Sequence, residues 1–282
     1  MPVLIPRNVD ELIDVFQANP QAKLLAGGTD YMVEVNLHGR KPDTMISLRQ
    51  VKELTEWSVR PSQSRITIGA GVPYAEMEVG EIARLVPALA QAARTVGSPQ
   101  IRAAGTLGGN LGTCSPAGDS LPVLAALNAT IHVIGPDGNR DIDFVDFMVG
   151  VKKNSLQPAE FVHSVSMPIV DGWQGYAKVG TRNAMVISTA SACLVRDSDE
   201  GFVSIALGSV GPTIIRAHNA EAWLMKTTSL RASAQLEPSV AQEFGRRVAL
   251  ESRPIDDHRS TADYRRHAIG VLAQRLLTRS FS

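Results

Sequence analysis

The chain has 282 residues, 44% of them hydrophobic and 20% charged, with 28 basic residues balanced by 28 acidic ones. Such a length supports a large core divided into two or three lobes. The balance excludes the basic stripe of a nucleic-acid binder and the one-sided charge of a membrane-surface protein. Two cysteines, Cys114 and Cys193, are too few for a disulfide framework or a thiolate-held cluster.

In chain order, Leu12, Ile13 and Phe16 recur at helical spacing after a cap at Asn8 or Asp10, and Asn19-Pro20 ends that helix. Residues 23–26 read as a short buried strand, broken by Gly27-Gly28. Thr29 is the expected N-cap of a helix running to about Leu37, with Asp30 in its first turn and Gly39 and Pro42 beyond its end. Residues 44–48 form another strand, so the first fifty or so residues read as a small parallel β–α unit. Residues 65–71 are strand-like, 74–80 a short helix, and 82–96 helical with a restart at Pro87. A glycine-rich loop follows, then a helix over 121–127, a hairpin turning at 135–139 and a strand over 161–167. Beyond a joint near residues 168–173, strands are expected at 175–179, 188–195 and 201–208. Helices are expected at 215–225, 240–251 and 261–280. No apolar run approaches a membrane span and residues 1–7 lack the core of a signal peptide, so the expected location is cytoplasmic.

Two stretches carry chemistry. Leu25-Ala26-Gly27-Gly28-Thr29-Asp30 leads from a strand into a helix, and Gly105-Thr106-Leu107-Gly108-Gly109-Asn110 repeats a Gly-Gly pair beside a threonine. Glycine lets backbone N–H groups approach a ligand closely and tolerates positive φ. A helix starting just after adds free N–H groups and its positive dipole end. Both suit a pyrophosphate, with hydroxyls of Thr29 and Thr106 as further donors; Asp30 should turn away from it. Taken singly, a Gly-Gly pair between a strand and a helix is more often just a tight turn. Gly69-Ala70-Gly71-Val72-Pro73-Tyr74 fails as a Rossmann fingerprint, because Tyr74 replaces the third glycine and Pro73 removes a donor. No Walker A run or nucleophile elbow is present, and none of the six histidines has zinc-ligand spacing. Cys114 reads as a small packed residue.

The combined pattern resembles the FAD-binding medium subunit of molybdenum hydroxylases, the xanthine dehydrogenase and carbon monoxide dehydrogenase family. It rests on residues 25–30, 97–102, 106–111 and Ser115-Pro116-Ala117-Gly118-Asp119-Ser120-Leu121-Pro122, and runs over essentially the whole chain. The resemblance implies an α+β fold. Residues 1–170 would be a two-subdomain FAD-binding domain of the vanillyl-alcohol-oxidase (PCMH) type, divided at about 52/53. Residues 171–282 would be a small C-terminal domain with a three-stranded antiparallel sheet and helices. It implies FAD held by Leu25, Ala26, Gly27, Gly28, Thr29, Asp30, Tyr31 and Met32 on one side and by Thr106, Leu107, Gly108 and Gly109 on the other. Asn110, Thr113 and Asp119 would contact the flavin or the adenosine part, with Asp119 a carboxylate for ribose hydroxyls or a helix cap. Phe161 would stand at the adenine side. Lys178 would stand near the flavin ring, where a cation favours reduced flavin; a surface lysine is the alternative. Ala177 replaces an aromatic residue found in several relatives.

The implied function is electron transfer from a small [2Fe–2S] subunit through FAD to NAD, oxygen or another acceptor. A large molybdenum-cofactor subunit would hydroxylate the substrate, in a dimer of heterotrimers. No catalytic side chain, metal or iron–sulfur centre is expected on this chain. A stand-alone flavin oxidase and a scaffold that has lost FAD are the alternatives.

Overall fold

The computed structural model describes residues 2–39, 44–231 and 234–282. Strand β1 (Val3–Leu4), helix α1 (Val9–Ala18), strand β2 (Lys23–Leu25), helix α2 (Tyr31–His38) and strand β3 (Met45–Ser47) form a first unit. Its three strands are parallel in the order β1-β3-β2. Asn8 caps α1, its side chain accepting from the Glu11 N–H at 2.8 Å. Gly39 ends α2 at φ +62°. Pro42 lies outside the described residues.

A five-stranded antiparallel sheet comes next, in the order β4-β5-β10-β6-β7. Its strands are β4 (Trp57–Arg60), β5 (Arg65–Gly69), β6 (Thr130–Gly135), β7 (Gly138–Asp143) and β10 (Phe161–Pro168). Helices α3 (Tyr74–Met77), α4 (Gly80–Leu85), α5 (Pro87–Arg94), α6 (Pro99–Ala104), α7 (Leu107–Thr113) and α8 (Leu121–Ala126) are strung between β5 and β6. Helix α9 (Phe144–Phe147) and a small hairpin, β8 (Met148–Gly150) with β9 (Lys153–Asn154), fill the stretch before β10. The turn between β6 and β7 is tighter than its sequence suggests, with Gly135 paired to Gly138.

The C-terminal part is a sheet of four strands, β11 (Gly172–Val179), β12 (Ala190–Asp197), β13 (Phe202–Gly208) and β14 (Ile215–Arg216). The fourth strand corrects the three-stranded expectation. Ile215 and Arg216 pair with β13, so helix α10 (His218–Thr227) begins later than expected. Helices α11 (Pro238–Glu251) and α12 (Ala262–Ser280) complete the chain.

Three apolar clusters hold this together. One joins α1, β3 and the start of β10 through Leu12, Phe16, Ile46 and Phe161. The largest lies under the five-stranded sheet and reaches into the C-terminal sheet at Tyr176, Cys193 and Val195. The third contains Ala192, Leu194, Leu207, Phe244 and Leu277. Alternate residues of β12 therefore enter different cores, and the whole strand is buried. That explains why its middle, residues 192–195, is a continuous apolar stretch rather than an alternating one.

Candidate functional site

Strand β2 delivers the chain to Ala26 and stops, because Gly28 turns the backbone at φ +70°. The N–H groups of Gly27, Gly28, Thr29, Asp30 and Tyr31 have no acceptor among the described residues. The residues carrying them are half-buried or exposed. A run of unpaired N–H groups leading into a helix is an anion seat. Thr29 is not the cap that its sequence suggested. Asp30 occupies that position, without a side-chain cap bond. Its carboxylate instead accepts from the Thr113 hydroxyl at 3.1 Å, so it turns toward the second motif.

That second motif is not an open loop. Ser98 caps α6 and Thr106 caps α7, whose buried Leu107 and Leu111 override the poor helix propensity of three glycines. The N–H groups here are already used. Leu107 donates to the Val72 carbonyl, Gly108 to Ala70, Gly109 to the Thr106 hydroxyl at 3.0 Å and Asn110 to the Thr106 carbonyl. The second motif therefore offers a surface, not a row of donors. Gly108 is a packing glycine, since a Cβ there would lie 2.5 Å from the Ala70 Cβ. Gly109 and Gly112 are different. Both are exposed; a Cβ on Gly112 would meet nothing, and one on Gly109 only the Thr106 hydroxyl. Packing does not require glycine at either, and each costs the helix up to about 1 kcal/mol relative to alanine. A bare helix face suits a ligand that comes very close. Gly112→Ala is expected to raise the melting temperature of the flavin-free protein slightly and to weaken FAD retention, read by calorimetry and by bound flavin.

The two motifs touch. A Cβ on Gly27 would stand 1.8 Å from the Ala104 carbonyl oxygen, and one on Gly105 would stand 3.2 Å from the Thr29 hydroxyl. The bare face of α7 thus lies beside the N–H row.

Asp119 anchors a second, buried part of the region. Its carboxylate accepts from Lys178 Nζ at 2.6 Å, Ser188 Oγ at 2.6 Å and Tyr176 Oη at 2.7 Å, and lies 3.3 Å from Thr95 Oγ1, whose closer acceptor is the Ala92 carbonyl at 2.8 Å. Lys178 also donates to the carbonyls of Thr95 at 3.0 Å and Val186 at 3.1 Å, which uses all three of its protons. Neither residue is at the surface, and Asp119 does not cap α8, where Ser120 holds the N-cap position. Burial, reinforced by the Asp119 carboxylate, pushes the Tyr176 phenol well above its ordinary range, so it stays a neutral donor. Asn110 joins this region through Ser120, whose hydroxyl donates to its side-chain oxygen at 2.6 Å.

Phe161 opens β10 with its ring fully buried against α1 and β3. Tyr31 and Met32 begin α2, half-buried and exposed respectively. Cys114 is buried at the end of α7, and burial pushes its thiol up to about 11; Cys193 is raised further for the same reason. Since the thiolate is the reactive form, neither cysteine should react with a thiol reagent at pH 8 until the protein is denatured, when both should.

Residues 1–170 match the sequence profile of the FAD binding domain in molybdopterin dehydrogenase, and residues 176–280 that of the CO dehydrogenase flavoprotein C-terminal domain. This chain belongs to the molybdopterin dehydrogenase FAD-binding subunits. A nicotinate dehydrogenase FAD-subunit from Eubacterium barkeri is 32% identical over 78% of each chain. The glyceraldehyde dehydrogenase medium chain of Sulfolobus acidocaldarius is 27% identical over 95% of this chain and 94% of its own. In three dimensions, a chain of carbon monoxide dehydrogenase from Hydrogenophaga pseudoflava superposes with a TM-score of 0.89 at 26% identity, covering 100% of this chain and 97% of its own.

FAD fits the residues of this flavoprotein subunit. The unpaired N–H row supplies donors for a diphosphate, and Gly109 and Gly112 leave room where side chains would stand. Among the described residues there is no cluster able to hold a metal ion, and no helix long and apolar enough to cross a membrane. Sequence reasoning missed Thr95, Tyr176, Ser188 and Gly112. The first three lie far apart in sequence and meet only at Asp119. Gly112 carried a signal, as a glycine three residues after Gly109 and therefore on the same face of a helix.

Proposed function

We propose that this subunit carries electrons from a small [2Fe–2S] subunit to an external acceptor, NAD, oxygen or another carrier, while a large molybdenum-cofactor subunit hydroxylates the substrate. The observation that carries the reading is the N–H row of residues 27–31 beside the bare face of α7. Bound FAD supplies the capacity to take up and release electrons. The chain's own residues do the rest: the backbone of 27–31 seats the diphosphate, Gly109 and Gly112 admit the cofactor closely, and Asp119 with Lys178 fixes the wall behind it. Residues 1–170 would form the FAD-binding domain, with subdomains about 1–52 and 53–170, and 171–282 the C-terminal domain. The parallel three-stranded sheet, the five-stranded sheet and the four-stranded sheet fall one to each of these parts, which supports that division. The assembly would be a dimer of heterotrimers.

A stand-alone oxidase would need an acid or base free to face substrate. The ionisable groups of the buried cluster, Asp119, Lys178 and Tyr176, are engaged with one another. A scaffold without FAD has no use for the open glycines of α7. The test is purification of the chain alone and with its two expected partners. Stoichiometric FAD on this chain, rapid flavin reduction only in the complex, and no substrate turnover by the isolated chain are the expected results. A colourless chain that takes up no FAD would refute the reading.

A further inference from the structure

The β8–β9 hairpin carries a feature that the cofactor reading leaves unused. Its turn places Lys152 in the left-handed region, at φ +53°, where a side chain is uncommon. The turn is pinned from both sides. The Lys152 N–H donates to the Cys114 carbonyl at 3.1 Å, and Asn154 Nδ2 donates to the Gly112 carbonyl at 3.3 Å. These bonds fasten the hairpin to the end of α7 and send the Lys152 ammonium across to Glu34 on α2, with which it pairs. The pair bridges the first unit and the five-stranded-sheet unit, one turn of helix beyond the N–H row. The Glu34 hydrogen bond raises the Lys152 pKa, with smaller contributions from the Asp30 and Glu34 charges.

About half of each side chain is exposed, 49% for Lys152 and 48% for Glu34. An exposed pair of this kind contributes little to stability, so it is a weak reason to hold a hairpin in a strained turn. It is also cheap to exchange. The N–H row is neutral and has two carboxylates for neighbours, Asp30 and Glu34. A doubly charged diphosphate seated there needs a cation to offset them.

We infer that Lys152 is the cation for a dinucleotide diphosphate on the N–H row of residues 27–31, and that Glu34 holds this lysine until the diphosphate replaces it. The inference rests on the FAD reading above. The diphosphate is that of the resident FAD.

The experiment uses the assembled complex, stripped of flavin and rebound, with wild type, Lys152→Met and Glu34→Gln compared. Riboflavin serves as the probe without a diphosphate. Lys152→Met is expected to weaken FAD binding about tenfold. Riboflavin binding should not change. Glu34→Gln should move the same quantity the opposite way, tightening it severalfold. A merely structural clasp predicts that both variants weaken all ligands alike; that result overturns the inference. No change in FAD affinity overturns it too. If wild type itself takes up no FAD but binds riboflavin, the flavin-dinucleotide reading fails and this inference fails with it. A thermal melt of each variant reports that the fold is intact.

Discussion

Gly27→Ala is expected to lose FAD. The added Cβ would lie 1.8 Å from the Ala104 carbonyl oxygen and 2.3 Å from its carbon, both backbone atoms that cannot swing aside. Either the loop of residues 26–30 or the end of α6 must retreat. Strain of this kind costs about 1–3 kcal/mol. The loop is half-exposed, so it can yield without unfolding the protein, and the cost falls on the arrangement of N–H groups. If all of it is charged against the bound state, FAD affinity drops by up to about 100-fold. Gly28→Ala is the control. Its φ is +70°, but its Cβ would meet only the side chains of Met32 at 3.3 Å and Leu25 at 3.4 Å. That strain is about 1 kcal/mol, worth less than tenfold. Flavin-to-protein absorbance ratios and FAD titrations compare the two. Equal retention by both variants would mean that the contact between the two motifs does not shape the seat.

The second large effect lies at the buried pair. Asp119→Ala leaves the nearly enclosed Lys178 without its carboxylate, with Tyr176 and Ser188 deprived of their common acceptor. Removing one partner of a buried, hydrogen-bonded pair costs about 3–5 kcal/mol. In a chain of this size that lowers the melting temperature by about 10 °C. Lys178→Met should cost a similar amount, because it strands the carboxylate. The double variant Asp119→Leu, Lys178→Met should be less damaged than the sum of the two single changes, since it buries no orphan charge. Thermal melts of the four proteins close the cycle. Additive losses would show that the two charges do not depend on each other.

The first glycine motif was legible because strand, break and helix follow one another locally, and local order is what sequence patterns record. Helix α1, with its cap at Asn8 or Asp10, and a strand over 188–195 were legible for the same reason. The second motif was misread as a loop. Its glycines argue against helix, and Thr106 with the buried Leu107 and Leu111 won by tertiary packing. Strand β4 was missed because its four residues alternate half-buried and exposed around a polar serine and an arginine. Phe161 was placed by likeness to a family position; no pattern in the sequence announced that its ring packs in the core behind α1. The environment of Asp119 was invisible for a different reason. Its neighbours come from α5's end, β11 and the stretch before β12, and no spacing in the sequence joins them.

The strand β12 ties two cores into one cooperative object. Its odd-numbered side chains Cys193 and Val195 belong to the body that seats the cofactor, and its even-numbered Ala192 and Leu194 belong to the body built on α11 and α12. Neither body can lose its order without stripping one side of the strand that the other needs. Ligand binding free energy gained at the glycine motifs is therefore felt along α12. The C-terminal helices are part of the cofactor's holder, though none of the proposed contacts comes from them.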